Sequence, residues 1–399
     1  MLADPVSLER DLLASRARAT RVTADLDGER LLGPKLAIVN PPLWELGHLG
    51  WFQERWCLRL QPSGALADPI LPGADALYDS ATVAHDTRWD LPLPDLAATR
   101  AYLANVLERV RERLARDPDN DSLRYFVRLA TFHEDMHAEA FHYTRQTLGY
   151  ADPLGAAAAT AAPAPRGDAE YPGGRFRLGA EPNGGFVFDN EKWAHEVEIA
   201  PFRMTRAPVT NAGFLAYVEG GGRAPRYWKK ADGVWLQRRF DRWLPVAPDE
   251  PVLHVDWNEA QAWCRWAGRR LPTEPEWEYA ASAPTRRYPW GDDDPSPARA
   301  NLDGSGIVPV GACAAGDNPA GARQLIGNVW EWTASTFTPY PGFVVDPYKE
   351  YSEPWFGTHK VLRGGSFATP ARLIRSTWRN FYTPDRGDVF AGFRTCAID

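Results

Sequence analysis

The chain has 399 residues, 44% of them apolar and 24% charged, and its charge sum of 45 − 52 = −7 makes it acidic. That length holds two or three domains at roughly 150 residues each, and so ordinary a composition excludes a disordered, fibrous or coiled-coil protein. A nucleic-acid scaffold would carry a basic footprint, and a membrane span would need about 18 consecutive apolar residues; neither is found. The four cysteines, Cys57, Cys264, Cys313 and Cys396, follow no spacing of a disulfide framework or a C-x-x-C metal site. Charged residues from Asp4 to Asp11 interrupt any signal-like start. A soluble, cytoplasmic protein with no nucleic-acid or membrane partner is expected.

Four amphipathic helices are predicted in chain order. They are Ser7–Asp25, Leu43–Leu60 after the Pro41-Pro42 start signal, Leu96–Arg116, and Leu123–Leu148 with Gly149 as its stop. Such a set predicts an antiparallel four-helix bundle over residues 1–152. The connection Gln61–Asp95 is long for a bundle, and loops of that length usually carry function or further structure. Residues 153–170 are rich in Ala and Pro and read as a linker. Beyond it, over residues 171–399, glycine and tryptophan become frequent and helical patterns shorten to Asn258–Ala267 and Glu274–Ala281. The fold class expected is therefore multidomain, a helical bundle followed by an α+β domain held by tryptophan packing.

Chemistry gathers at three of the eight histidines. His133 and His137 stand at i and i+4 in TFHEDMHAEAF, which puts both rings on one helix face. His48, in PPLWELGHLGWFQERW, lies on another helix of the same bundle. Bundle cores build metal sites from facing helices, and three neutral imidazoles leave a metal open positions for substrate or oxygen. Buried histidines also occur as plain core residues. The string His133–His137 further matches H-E-x-x-H, with Glu134 as the general base of a zinc hydrolase. In the bundle reading Glu134 instead holds a histidine ring through its free nitrogen, and His142 is a surface or supporting residue.

The second half resembles the formylglycine-generating-enzyme (sulfatase-modifying-factor) fold, a C-type-lectin-like family. The motifs that carry the resemblance are VDWNEAQAWCRWAGRRLPTEPEWEYAA (Val255–Ala281), YPWGD (Tyr288–Asp292), GNVWEWT (Gly327–Thr333), VLRGGSF (Val361–Phe367) and AGFR (Ala391–Arg394). Their charged residues are expected to be structural ion pairs and caps, and Trp330 and Trp332 to be core. The formylglycine enzymes act through a cysteine pair near the C-terminus, whereas here Cys396 stands alone. The first half, with His48 and the His133/His137 pair, resembles a DinB-type bundle. Together the two halves resemble the EgtB-like sulfoxide synthases of ergothioneine biosynthesis.

That resemblance implies a mononuclear non-heme iron(II) site on His48, His133 and His137, with O2 as co-substrate and hercynine as acceptor. It implies a catalytic tyrosine in PYKEYS, Tyr348 or Tyr351, and a hercynine pocket at WRNFYTP lined by Asn380, Phe381 and Tyr382. Met136 stands where many members carry a glutamine that contacts hercynine, so it faces the substrate without that hydrogen bond. Members that use γ-glutamylcysteine carry several arginines in the long loop between bundle helices. Here LYDSATVAHDTRWDLPLPD holds one, Arg88, beside His85 and Asp86. This set suits a selenosugar donor and resembles the selenoneine synthase (SenA) branch; a γ-glutamylcysteine or cysteine donor is the alternative. A zinc hydrolase and a non-catalytic binding module are the rivals from other classes. The active site is expected where bundle and second domain meet.

Overall fold

A computed structural model describes residues 3–153, 163–182, 185–283, 285–304 and 306–398. The chain divides into two units, Met1–Pro153 and Leu154–Asp399. Among the described residues no helix is long and apolar enough to cross a membrane.

The first unit is the expected helical bundle. Helix α1 (Pro5–Val22) starts where the Asp4 carboxylate accepts the Ser7 N–H, with Pro5 at a position that needs no donor. Helix α2 (Pro42–Glu54) begins after Pro41 and runs on into a π-turn at Arg55–Arg59. Every residue of α2 is buried, which makes it the axis of the unit. The long connection holds a short helix, α3 (Ala74–Tyr78), and a 3₁₀ turn at His85–Thr87. Helices α4 (Leu96–Arg116) and α5 (Asp121–Leu148) are N-capped by Asp95 and Asn120, and α5 stops at Gly149 in the left-handed region. Helix α1 packs on α5, and α2 packs on both α4 and α5.

The second unit mixes short strands with irregular segments. One sheet orders β1 (Asp168–Tyr171), β4 (Phe202–Thr205), β13 (Cys396–Ala397) and β8 (Arg269–Arg270). A hairpin pairs β2 (Gly174–Leu178) with β3 (His195–Ile199), and a meander joins β5 (Trp228–Ala231), β6 (Val234–Arg239) and β7 (Arg242–Pro245). The last sheet orders β11 (Asn380–Tyr382), β10 (Lys360–Arg363), β9 (Trp330–Thr336) and β12 (Ala391–Gly392). Strand β1 takes up the last residues of the expected linker, and residues 154–162 of that linker lie outside the described ones. The predicted helices appear as α7 (Trp257–Trp266) and α8 (Glu274–Ser282), and α6 (Asn211–Glu219) is an additional one. Its sequence, NAGFLAYVE, is apolar almost throughout and shows no polar face to betray the period.

The family motifs explain one another through buried ion pairs. Glu331 of GNVWEWT, fully buried, accepts from Arg394 of AGFR at 2.7 Å and from the Trp277 indole at 2.7 Å. Arg363 of VLRGGSF reaches Glu274 at 3.2 Å and also pairs with Glu278, and Arg379 reaches Glu274 at 2.7 Å. Glu259 and Glu276 close capping boxes on α7 and α8. Trp330 and Trp332 are core residues, as expected. Gly364, with φ +96°, could not carry a Cβ, which would lie 2.4 Å from the Leu325 carbonyl oxygen.

Candidate metal centre

The three histidines predicted from spacing meet in the core of the first unit. His48 Nε2 lies 3.2 Å from His133 Nε2, and His137 Nε2 lies 3.2 Å from the same atom. The three ligand atoms all lie within 4.8 Å of one another. Helix α2 supplies the first ring and α5 the other two, one turn apart on one face.

Hydrogen bonds on the far side of two rings fix their tautomers. His48 donates Nδ1–H to the Tyr78 carbonyl at 2.8 Å, and His137 donates Nδ1–H to the Glu45 carboxylate at 2.6 Å. Their Nε2 atoms therefore present lone pairs inward. One proton on His133 Nε2 satisfies at most one of them well. Burial pushes the His48 and His133 imidazoles well below the usual range, with mutual repulsion among the histidines adding to it. Three converging ring nitrogens, with outer hydrogen bonds that orient the His48 and His137 rings, are what a divalent ion with imidazole affinity requires; iron(II), zinc(II), copper(II) and nickel(II) all qualify.

Packing holds the cluster in place. The His133 ring stacks on Phe52 with centroids 3.6 Å apart, and Trp44 stacks on His48 at 5.0 Å. Gly47 lets the long connection close in, since a Cβ there would lie 2.2 Å from the Tyr78 ring. The same approach delivers the Tyr78 carbonyl to His48.

Two expectations are corrected. Glu134 does not hold a histidine. It points toward α1, where its carboxylate accepts from Arg16 at 2.6 Å and 3.2 Å, and both residues are buried. Arg16 also donates to the Leu103 carbonyl and to Gln53. A carboxylate locked in this way is not a general base for a hydrolase, and the supporting role belongs to Glu45. His142 is likewise no surface residue. It is buried and bonded to the Ala138 carbonyl at 2.7 Å. Replacing Glu134 with Gln is thus expected to leave metal content unchanged and to cost about 3 kcal/mol of stability, the scale for breaking a buried pair. Metal analysis and urea unfolding of the same preparation check this; lost metal at unchanged stability would contradict it.

The donor candidates separate. Arg88 is buried; its guanidinium donates to Asn40 at 2.7 Å and to the Val83 carbonyl, and it lies 3.9 Å over the Trp44 ring. Burial lowers it to about 10. His85 bonds the Val39 carbonyl at 2.8 Å, Asp86 is exposed, and Met136 is half-buried one residue before His137.

In the second unit the predicted residues form an aromatic group of their own. Tyr351 meets Phe381 edge-on at 5.8 Å and lies 5.9 Å from Tyr348. Phe381 stacks on Phe337 at 4.0 Å. The Tyr351 hydroxyl accepts from the Trp378 indole at 3.4 Å, and burial raises its pKa far above the ordinary phenol value. Asn380 turns its side-chain oxygen to the Phe381 N–H, and Tyr382 lies under Arg386. Sequence reasoning missed the fasteners of this loop: Lys192 pairs with Asp346 at 2.6 Å, and Asp189 accepts from the Ser352 hydroxyl.

Comparison with known proteins agrees with this architecture. Residues 11–141 match the DinB superfamily, and residues 158–398 match the sulfatase-modifying factor enzyme 1-like domain. A hercynine oxygenase of Mycolicibacterium thermoresistibile is 37% identical over 97% of this chain and 94% of its own. A hercynine oxygenase of Mycobacterium tuberculosis is 35% identical over 98% of this chain and 99% of its own. A formylglycine-generating enzyme of Streptomyces coelicolor is 33% identical over 63% of this chain and 97% of its own. With both domains matched and the histidine triad in place, the chain belongs to the EgtB-like family of hercynine oxygenases and is an oxygen-dependent oxidoreductase.

Proposed function

We propose that the protein is an iron(II)- and O2-dependent synthase that joins a selenium or sulfur donor to C2 of the hercynine imidazole, and that its donor is a selenosugar. The observation that carries the first part is the convergence of His48, His133 and His137 in a chain aligned along nearly its whole length with hercynine oxygenases. Bound iron(II) would supply Lewis acidity and a place to activate O2, the oxidant that takes the two electrons released when C2–H and a selenol or thiol are joined.

The chain's own residues supply the rest of this reading. The three imidazoles hold the ion without adding charge, and Trp44 and Phe52 shield two of them from water. Phe381 and Tyr382 offer aromatic faces for a trimethylammonium group, and the Asn380 amide nitrogen offers a donor to the rest of hercynine. Tyr351 carries its proton at neutral pH as any phenol does, and burial raises its pKa further, so its hydroxyl would give that proton only to a strongly basic group formed in the reaction. Tyr348 is the other candidate for this role.

The inward turn of Arg88 supports the selenosugar. It is the one arginine of the Leu77–Asp95 loop, and its hydrogen bonds go to Asn40 and Val83. A dicarboxylate such as γ-glutamylcysteine would find no outward guanidinium on this loop, whereas hydroxyl or amino groups of a sugar would find Ser80 and Asp86 exposed. The test is direct competition. Protein loaded anaerobically with iron(II) is mixed with hercynine and a selenosugar, a thiosugar, γ-glutamylcysteine or cysteine, and then exposed to air. A selenium adduct of hercynine is expected to dominate the mass spectrum. Product from γ-glutamylcysteine or cysteine with none from the selenosugar would return the protein to ergothioneine-type chemistry.

A further inference from the structure

The geometry points to Glu45 as the residue that gives the neutral triad its missing negative charge, acting through His137. This rests on the iron reading above and concerns how unequal the three ligands are. Glu45 is 1% exposed, and its carboxylate accepts the His137 Nδ1–H at 2.6 Å. A carboxylate in that place raises the basicity of the ring's other nitrogen, and away from water its charge is poorly screened.

His48 is backed in the opposite sense. Its Nδ1–H goes to a neutral carbonyl, that of Tyr78. Its ring stacks on Trp44 at 5.0 Å, and over Trp44 lies the buried Arg88 guanidinium. An anion thus stands behind one ligand and a cation behind another, and the two also attract each other, Glu45 acting on the Arg88 guanidinium against the effect of burial. His137 becomes the strongest of these two donors and His48 the weaker. Glu45 and His48 share one face of α2, three residues apart, so a single rigid helix sets both relations. Glu45 is a positioning residue in this scheme, since it acts only through His137.

Two substitutions separate charge from mere orientation. Glu45→Gln keeps an oxygen to accept the Nδ1–H and removes the charge; Glu45→Asp keeps the charge. Iron(II) affinity is read by chelator competition, and the ligand field by the visible absorption of cobalt(II)-loaded protein, with folding checked by circular dichroism. Glu45→Gln is expected to lose 10–100-fold in iron affinity, the range for such supporting partners, and to shift the cobalt bands, while Glu45→Asp recovers most of both. Arg88→Met, which removes the opposing charge, is expected to tighten cobalt binding. Equal affinity and unchanged bands in Glu45→Gln, or parallel weakening in Glu45→Gln and Arg88→Met, would overturn the assignment. Should the wild-type protein hold cobalt and reject iron, the iron reading falls, and the cobalt series still decides the role of Glu45.

Discussion

Replacing His133 with Ala is expected to remove metal binding and hercynine turnover together. His133 is the hinge of the triad, because its Nε2 is 3.2 Å from both partner nitrogens. Without it two imidazoles remain on different helices, and the Phe52 face that held the third ring at 3.6 Å is left uncovered. The loss must exceed the roughly 100-fold that removal of a supporting partner alone brings, so metal content after dialysis should fall to background. His142→Ala is the matched control. That residue is also buried on α5, yet its hydrogen bond runs to the Ala138 carbonyl. The control should retain a full equivalent of metal. A His133→Ala protein that keeps bound metal would show that the triad is not its site, whatever its activity.

Much of this site was legible because helical spacing is a rigid rule. His133 and His137 had to share a face, and Pro41-Pro42 had to start the helix that carries His48. The choice of supporting carboxylate was harder. Glu134 is adjacent to His133 in sequence, but one residue turns a helix by about 100°, and that rotation carried it to Arg16. The usable signal was Glu45, three residues before His48 and so on the same face of α2. The tautomer of His48 could not be read at all, since it depends on the Tyr78 carbonyl, thirty residues away across an irregular connection. Helix α6 was hidden for another reason, an apolar sequence without a polar stripe. The motifs of the second unit named its fold, yet which arginine met which glutamate depended on strand register, as when β12 runs parallel to β9 and leads AGFR back to GNVWEWT.

That pairing sets a large expected effect on stability. Arg394 and Glu331 are both fully buried, and each is strange to an apolar interior without the other. Arg394 also donates to the carbonyls of Thr205 and Arg323, while Glu331 accepts the Trp277 indole. Removing either partner strands a charge among groups that cannot neutralise it, which costs about 3–5 kcal/mol. Arg394→Met and Glu331→Leu should each lower the unfolding free energy of the second unit by that amount, read from the shift of its urea midpoint multiplied by m. The double substitution tells whether the pair or its separate members matter. If the penalty is mainly the stranded charge, the double variant will be more stable than either single one, because two apolar side chains of similar bulk replace a desolvated pair. If the two losses simply add, the hydrogen bonds to Trp277, Thr205 and Arg323 dominate, and the family motifs are held by those separate bonds more than by the ion pair. The first outcome is expected, because no other cation is paired with Glu331 among the described residues.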